Sequence, residues 1–239
     1  MRIVIGYPPL SDPRGFHQTG QNRQAQVFHE PAFIYPYVPA MAATLLSQAG
    51  HEVRWMDGPA MGLDWDSYLT KLMLWQPDLI AWEAKTPSIN RTMKLTYDVN
   101  RVLPDTTIIL MGDHVTALPE EARDHSAANI ILTGGDYDFG LVDIVAAIEA
   151  GTLHPHDRLI WDKPTDTLLT TLPVVDRKLT HWDLYGGSSG SGNYKYLPGT
   201  HTMIGRDCWW RHDGGCTFCS WTNIYKNWRV GTVDHFIRS

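Results

Sequence analysis

The sequence predicts an α/β fold, a five-stranded parallel sheet covered on both faces by helices, and three observations predict it. Short runs rich in Ile, Val, Leu and Trp recur through residues 1 to about 153. Between them lie longer segments whose apolar residues recur at helical spacing. Glycines and capping residues mark the borders. Short apolar strands alternating with helices are strands buried on both faces, as a parallel sheet with helical crossovers requires.

The strand runs are Ile3–Gly6, Val53–Met56, Leu79–Trp82, Thr107–Met111 and Asn129–Leu132. The helical segments are Pro39–Gln48, Trp65–Leu74, Ile89–Val102, Pro119–His125 and Leu141–Ala150. Gly50 and Gly151 stand where helix C-terminal caps belong, and Asp64 and Ser88 where N-caps belong. Strand–helix units of this size fit a Rossmann-like, specifically flavodoxin-like, sheet with strand order 2-1-3-4-5. In such sheets ligands bind outside the carboxyl ends of the strands, near the point where the order reverses.

Those ends carry unusual loops. Tyr7-Pro8-Pro9-Leu10 opens a connection of about thirty residues, long enough to read as a lid or binding loop. The others are Lys85-Thr86-Pro87-Ser88, Gly112-Asp113-His114-Val115-Thr116 and Gly134-Gly135-Asp136. Small residues there let the backbone approach a bulky flat ligand.

The chain has 239 residues and a formal net charge of −6. Its Lys and Arg are scattered, which leaves no electrostatic footprint for nucleic acid. No apolar run reaches the length of a membrane-spanning helix. The N-terminus enters a strand directly, without the charged and apolar regions of an export signal, which points to a cytoplasmic protein.

The pattern changes after the fifth unit. Residues 154–199 read as a connector, with strand-like pieces at Leu159–Asp162 and Leu168–Thr171, then Leu172-Pro173, then a flexible Gly/Ser linker over Gly186–Gly192. Thr200–Ile204 reads as a strand leading into Cys208, Cys216 and Cys219, the chain's three cysteines. An odd number gathered in one segment argues against a disulfide framework and for reduced thiolates around a metal. The spacing is C-x7-C-x2-C. Three thiolates suit three irons of a [4Fe-4S] cluster whose fourth iron stays open, because an electron-transfer cluster normally takes four cysteines. A zinc site is the alternative: Cys208, His212, Cys216 and Cys219 form a Cys3His set of plausible spacing. Trp209, Trp210, Trp221 and Trp228 crowd this region and read as packing. Glu120-Glu121 and the pair Asp64 and Asp66 read as charge at helix N-termini.

A strand ending in Gly205-Arg206-Asp207-Cys208, followed by Cys216-Thr217-Phe218-Cys219-Ser220, resembles the cluster loop of radical S-adenosylmethionine enzymes. The seven-residue first gap departs from that family's usual three and resembles a minority branch that includes phosphorus-methylating members. The N-terminal part resembles the cobalamin-binding domain that precedes many such barrels. Tyr7-Pro8-Pro9, the run Tyr37–Leu46, Gln76–Ile80 with Thr86-Pro87-Ser88, and Gly112-Asp113-His114-Val115-Thr116-Ala117-Leu118-Pro119-Glu120-Glu121 carry that likeness in order. Residues 172–185 resemble the family's connector, and Arg229–Ile237 its first barrel helix.

The resemblance implies a cobalamin-binding domain over 1–153, a connector over 154–199, and over 200–239 the first strand–helix unit of a partial TIM barrel, truncated. It implies cobalamin contacts at Tyr7, Pro8, Pro9, Thr86, Pro87, Ser88, Gly112, Asp113, His114, Gly134, Gly135 and Asp136. It implies an iron–sulfur cluster on Cys208, Cys216 and Cys219, with Phe218 beside the adenine of S-adenosylmethionine. The activity implied is methyl transfer to an unactivated carbon or phosphorus centre through a 5′-deoxyadenosyl radical and methylcobalamin, although some relatives rearrange or cyclise instead. A small-molecule substrate and an external electron donor such as flavodoxin or ferredoxin follow.

Several readings stay open. His17-Gln18-Thr19-Gly20 offers a cobalt-ligating histidine, but Asp12 stands five residues before it rather than the two that would orient the imidazole. His114 either lines a corrin pocket or is a loop histidine bonded to backbone. Asp136 either meets the nucleotide tail or simply ends its strand. A corrinoid carrier with a structural zinc knob is an alternative of another class. A plain nucleotide-binding module is a third, disfavoured by the lack of a phosphate loop.

Overall fold

The structure, a computed structural model, describes residues 1–12, 15–17, 27–29, 33–164, 167–186, 198–210, 214–219 and 227–238. Its frame is a parallel sheet of β1 (Arg2–Tyr7), β2 (Glu52–Asp57), β3 (Leu79–Glu83), β4 (Thr107–Met111), β5 (Ile130–Thr133) and β6 (Leu159–Asp162). The spatial order is 2-1-3-4-5-6. The expected order is therefore right for five strands, and the sheet has six, not five. The additional strand comes from the segment expected to connect two domains, and pairs in parallel from Ile130↔Leu159 to Thr133↔Asp162. It is short and half-exposed, as suits an edge strand, so it lacks the buried apolar run that reveals the others.

The pleat sorts the strand residues onto two cores. Ile3, Ile5, Leu79, Ala81, Ile109, Met111, Ile130 and Leu132 face one side, against α1 (Tyr37–Gln48) and α6 (Tyr137–Glu149). Val4, Ile80, Trp82, Ile108, Leu110 and Ile131 face the other, against α2 (Trp65–Trp75) and α3 (Ile89–Val102). Two short helices, α4 (Asp113–Ala117) and α5 (Pro119–Asp124), link β4 to β5. Covering both faces is the arrangement that lets apolar strands avoid water throughout.

Local signals mostly behave as their chemistry requires. Asp64 caps α2 by accepting from the Ser67 amide at 2.8 Å. Gly50 and Gly151 follow α1 and α6 in left-handed conformation. Ser88 stands at the N-cap position of α3, but its side chain makes no cap bond: a 3-10 turn over Thr86–Ser88 precedes that helix, and the Ser88 hydroxyl donates to the Lys85 carbonyl at 3.2 Å.

The C-terminal region differs from the expectation. Thr200–Ile204 is not a strand, and Leu168–Thr171 is a 3-10 turn over Leu169–Thr171. The strand before the cysteines is β7 (Gly205–Arg206), which pairs antiparallel with β8 (Arg229–Val230). The expected helix over Arg229–Ile237 thus begins as a strand and turns helical only at Val233–Arg238, where Thr232 Oγ1 accepts from the His235 amide at 3.1 Å. A short helix, α7 (Asp183–Gly186), lies on the α1 side of the sheet, and Val233–Arg238 is α8. The linker residues 187–192, Gln18–Gly20, His212 and Trp221 lie outside the described residues, and nothing here places the His17 side chain.

Candidate functional site at the carboxyl end of the sheet

The carboxyl ends of β1, β2 and β3 bury ionisable groups. Glu83 closes β3 and is buried among aromatic neighbours. It accepts hydrogen bonds from the hydroxyls of Tyr7 and Tyr137, the latter at 2.8 Å, and from the Lys85 ammonium at 2.6 Å. Burial, followed by the negative charge of Glu83, pushes the Tyr7 hydroxyl well above its ordinary pKa. Asp57 closes β2 beside this group. Its carboxylate accepts from the Tyr185 hydroxyl at 2.6 Å and the Ala60 amide at 3.0 Å, and Tyr185 in turn accepts from the Trp55 indole at 2.9 Å. Burial outweighs those two bonds and lifts Asp57 from 3.8 to about 6, with Glu83 adding to the rise. Neither carboxylate figures among the sequence candidates. For Glu83 the signal was available: an acid ending a fully apolar strand must find buried donors or stay neutral.

The β3 and β4 loops sit side by side. Thr86 and Pro87 are exposed and Asp113 is partly so. His114 is buried; its Nδ1 lies 3.2 Å from Thr86 Oγ1, while its Nε2 has no hydrogen-bond partner. Burial holds the imidazole below its ordinary pKa, against a smaller opposing effect of Glu121, whose carboxylate is 3.9 Å from Nε2. His114 therefore bonds a neighbouring side chain rather than backbone.

The other expected contacts turn inward. Tyr7, Pro8, Pro9, Ser88, Gly112, Gly134, Gly135 and Asp136 are buried. The space a side chain would fill at Gly134 belongs to the Lys163 carbonyl, 2.1 Å from an added Cβ, and Gly134 has φ +95°. At Gly112 it is Glu83 Cγ, at 2.8 Å. Close backbone approach is thus required at both glycines, and the chain itself makes it.

Asp136 is neither a free ligand contact nor a mere strand end. Its carboxylate accepts from Arg206 at 2.8 Å and from both terminal nitrogens of Arg229 at 2.5 and 2.8 Å. Arg206 also grips Asp138, at 2.8 and 2.5 Å. Burial alone would raise the Asp136 carboxyl, but the hydrogen bonds and charges of the two guanidiniums hold it below the usual range. Arg206 is in β7 and Arg229 in β8, one on each side of the cysteines, so three ion pairs clamp that segment to the start of α6 at the sheet's carboxyl end. Paired, hydrogen-bonded burial of this kind makes a charged contact directional.

The cysteines begin two residues after the clamp. Cys208 and Cys216 are exposed, Cys219 is half-buried, and no disulfide joins any of them. The Cys219 amide donates to the Cys216 carbonyl at 3.0 Å, which closes the C-x2-C turn, and Gly215 donates to Trp210 at 3.2 Å. Trp209 and Trp210 meet edge to face 5.0 Å apart, and Phe218 is 90% exposed. Trp209, Trp210 and Trp228 are exposed. Among the described residues no three His, Cys, Asp or Glu side chains are close enough to share a metal ion. The donors therefore suit a three-thiolate cluster in kind and accessibility, without being drawn to one point. For cobalamin, Thr86, Pro87, Asp113 and the unsatisfied His114 Nε2 are the part of the expected set that fits.

Comparison with curated proteins gives one point of reference. The chain is 26% identical over 245 residues to the anaerobic magnesium-protoporphyrin IX monomethyl ester cyclase of Cereibacter sphaeroides. The aligned stretch takes in 96% of this chain and 36% of the relative, so the chain spans about a third of that protein's length. About ten of the 239 residues fall outside it, fewer than follow Cys219, so the stretch includes all three cysteine positions. No known family profile matches the chain, and no solved structure matches it. Among the described residues no helix is long and apolar enough to cross a membrane.

Proposed function

We propose that this chain is part of a cobalamin-dependent radical S-adenosylmethionine enzyme that transfers a methyl group to an unactivated carbon or phosphorus centre. The observation that carries the reading is the C-x7-C-x2-C segment, three cysteines clamped by Arg206 and Arg229 to the carboxyl end of a doubly wound sheet. That is the end at which such sheets bind ligands. Cys208, Cys216 and Cys219 would hold a [4Fe-4S] cluster and leave one iron open, with Phe218 against the adenine. Thr86, Pro87, Asp113 and His114 would line the corrin. Bound together, these cofactors supply a one-electron route to a carbon radical and a carrier for a methyl group.

The chain's own residues do the positioning. The Asp136–Arg206–Asp138 contacts and the Asp136–Arg229 contact fix where the thiol segment starts and ends. Thr86 engages His114 Nδ1, which aims the unsatisfied Nε2. In this reading residues 1–153 bind cobalamin, 154–199 connect, and 200–239 open the radical domain. The protein works in the cytoplasm on a small molecule, supplied with electrons by a flavodoxin or ferredoxin.

A second reaction is favoured by a specific observation: the curated relative is named a cyclase, and an anaerobic one. Ring formation without oxygen on a tetrapyrrole-like substrate uses the same proposed cofactors and competes with methyl transfer on equal terms.

The test is anaerobic reconstitution with iron and sulfide, followed by EPR of the reduced protein with and without S-adenosylmethionine, and a titration with hydroxocobalamin followed by absorbance. The proposal expects a cluster signal that S-adenosylmethionine alters, and saturable cobalamin binding. A protein that retains only zinc, with a signal indifferent to S-adenosylmethionine, contradicts it.

A further inference from the structure

A cavity of about 640 Å³ lies away from the strand ends, along the open edge of the sheet. β2 is an outermost strand and pairs only with β1. The Glu52 amide donates to Met1 and the Gly58 amide to Tyr7, at 3.0 and 2.9 Å, so the even-numbered residues of β2 turn their main-chain groups towards β1. Alternation then turns the N–H and C=O of Val53 and Trp55 outward, into the cavity that both residues line. An open strand edge presents donors and acceptors in the register of another strand.

The charged side chains that line the cavity are Arg54 and Lys71, from β2 and α2, and Lys178, from the segment before α7; no acidic residue lines it, and Glu52, exposed at the start of β2, lies outside it. Lys71 and Lys178 are exposed, and neither ammonium has a partner among the described residues. Arg54 is held over the Trp75 ring, 4.3 Å from its centroid. In a chain of net charge −6 this is a local reversal. The positive charge lining the cavity repels the same groove of a second copy, so it opposes self-pairing while leaving the edge open to a strand of opposite charge.

We propose that the groove along Val53–Trp55 is a docking site for an extended acidic segment of a partner protein. The segment adds as a further strand beside β2, its main chain bonded to Val53 and Trp55 and its carboxylates facing Lys71 and Lys178. Recognition by strand addition draws affinity from main-chain bonds and selectivity from the flanking side chains.

The experiment uses the full chain and a fluorescein-labelled peptide of alternating valine and glutamate, read by anisotropy at two salt concentrations. The proposal expects saturable, salt-weakened binding and none by the valine–lysine counterpart. Two backbone-methylated peptides separate strand pairing from simple charge attraction: methylating the alternate amides that face β2 weakens binding about tenfold or more, and methylating the other set leaves it unchanged. The double variant K71E/K178E, altered only at exposed positions and checked by circular dichroism, weakens the acidic peptide by about tenfold or more. No binding, equal binding by both methylated peptides, an unaffected K71E/K178E, or full competition by free glutarate, which would make this an anion site, each overturn it. So does dimerisation through this edge in sedimentation.

Discussion

The sheet and the cysteine segment are opposite solutions to the same problem. Strand residues such as Ile5, Trp82 and Leu110 are wholly buried and touch partners fixed by the pleat. The cysteine segment exposes Trp209, Trp210 and Phe218, and its thiols are not drawn together. The first region owes its shape to apolar burial, which a chain supplies by itself. The second is held at its two ends by Arg206 and Arg229, and among its described residues the large side chains of Trp209, Trp210 and Phe218 are exposed. A segment whose side chains are ligands gains its structure when they bind, because metal binding and folding share one free energy.

The contrast is broken most directly in the sheet. Trp82→Ala removes a fully buried ring and its 2.9 Å bond to the Tyr68 hydroxyl. It should cost about 4 kcal/mol in urea unfolding. Arg206→Ala strikes the junction between the regions: Asp136 keeps Arg229, but Asp138 is left buried and charged, at a cost of about 3 kcal/mol or somewhat more. If Arg206→Ala unfolds at the wild-type urea concentration, the clamp does not couple the two regions.

Asp57 tests the sheet's polar end by pH. Its carboxyl is lifted from 3.8 to about 6, so between those values the folded chain holds a proton that the unfolded chain has lost. Stability from this group is complete below about pH 4 and is lost as pH rises through 6, a change on the order of 3 kcal/mol. Asp57→Asn removes that component, so the difference in stability between wild type and D57N should move towards the variant from pH 4 to pH 7. A difference that stays constant with pH contradicts the assignment.

The smallest effect belongs to the thiols. Without iron, Cys208→Ala and Cys216→Ala change exposed positions and should shift stability by no more than about 0.5 kcal/mol. A larger loss would mean that the sulfurs are packed, and the contrast between the regions would fail.

Legibility in the sequence follows the same divide. The order of β1 to β5 was legible because buried strands must be apolar and helices must cap. β6 was legible as a strand at Leu159–Asp162 but not as part of the sheet, because it is half-exposed and looks like any short connector strand. The reason for Gly134 was misread: the motif marks a close approach, but only the fold shows that Lys163 makes it. Glu83 was overlooked although it ends a fully apolar strand; Asp57, Arg206 and Arg229 were missed because their partners are remote, Tyr185 128 residues from Asp57 and Asp136 93 from Arg229, and no local pattern records a long-range pair. The cysteine spacing was legible because it is local, whereas the exposure of Cys208 and Cys216 was not, because it depends on how the segment packs.

In the proposed function, iron completes this segment and needs every thiol. The direct measurement is iron content and EPR after anaerobic reconstitution of the wild type and of Cys208→Ala, Cys216→Ala and Cys219→Ala. A cluster signal in the wild type that is lost in each variant, with the sheet's unfolding unchanged, is the predicted result. An undiminished signal in Cys208→Ala, or zinc bound in preference to iron by the wild type, contradicts it.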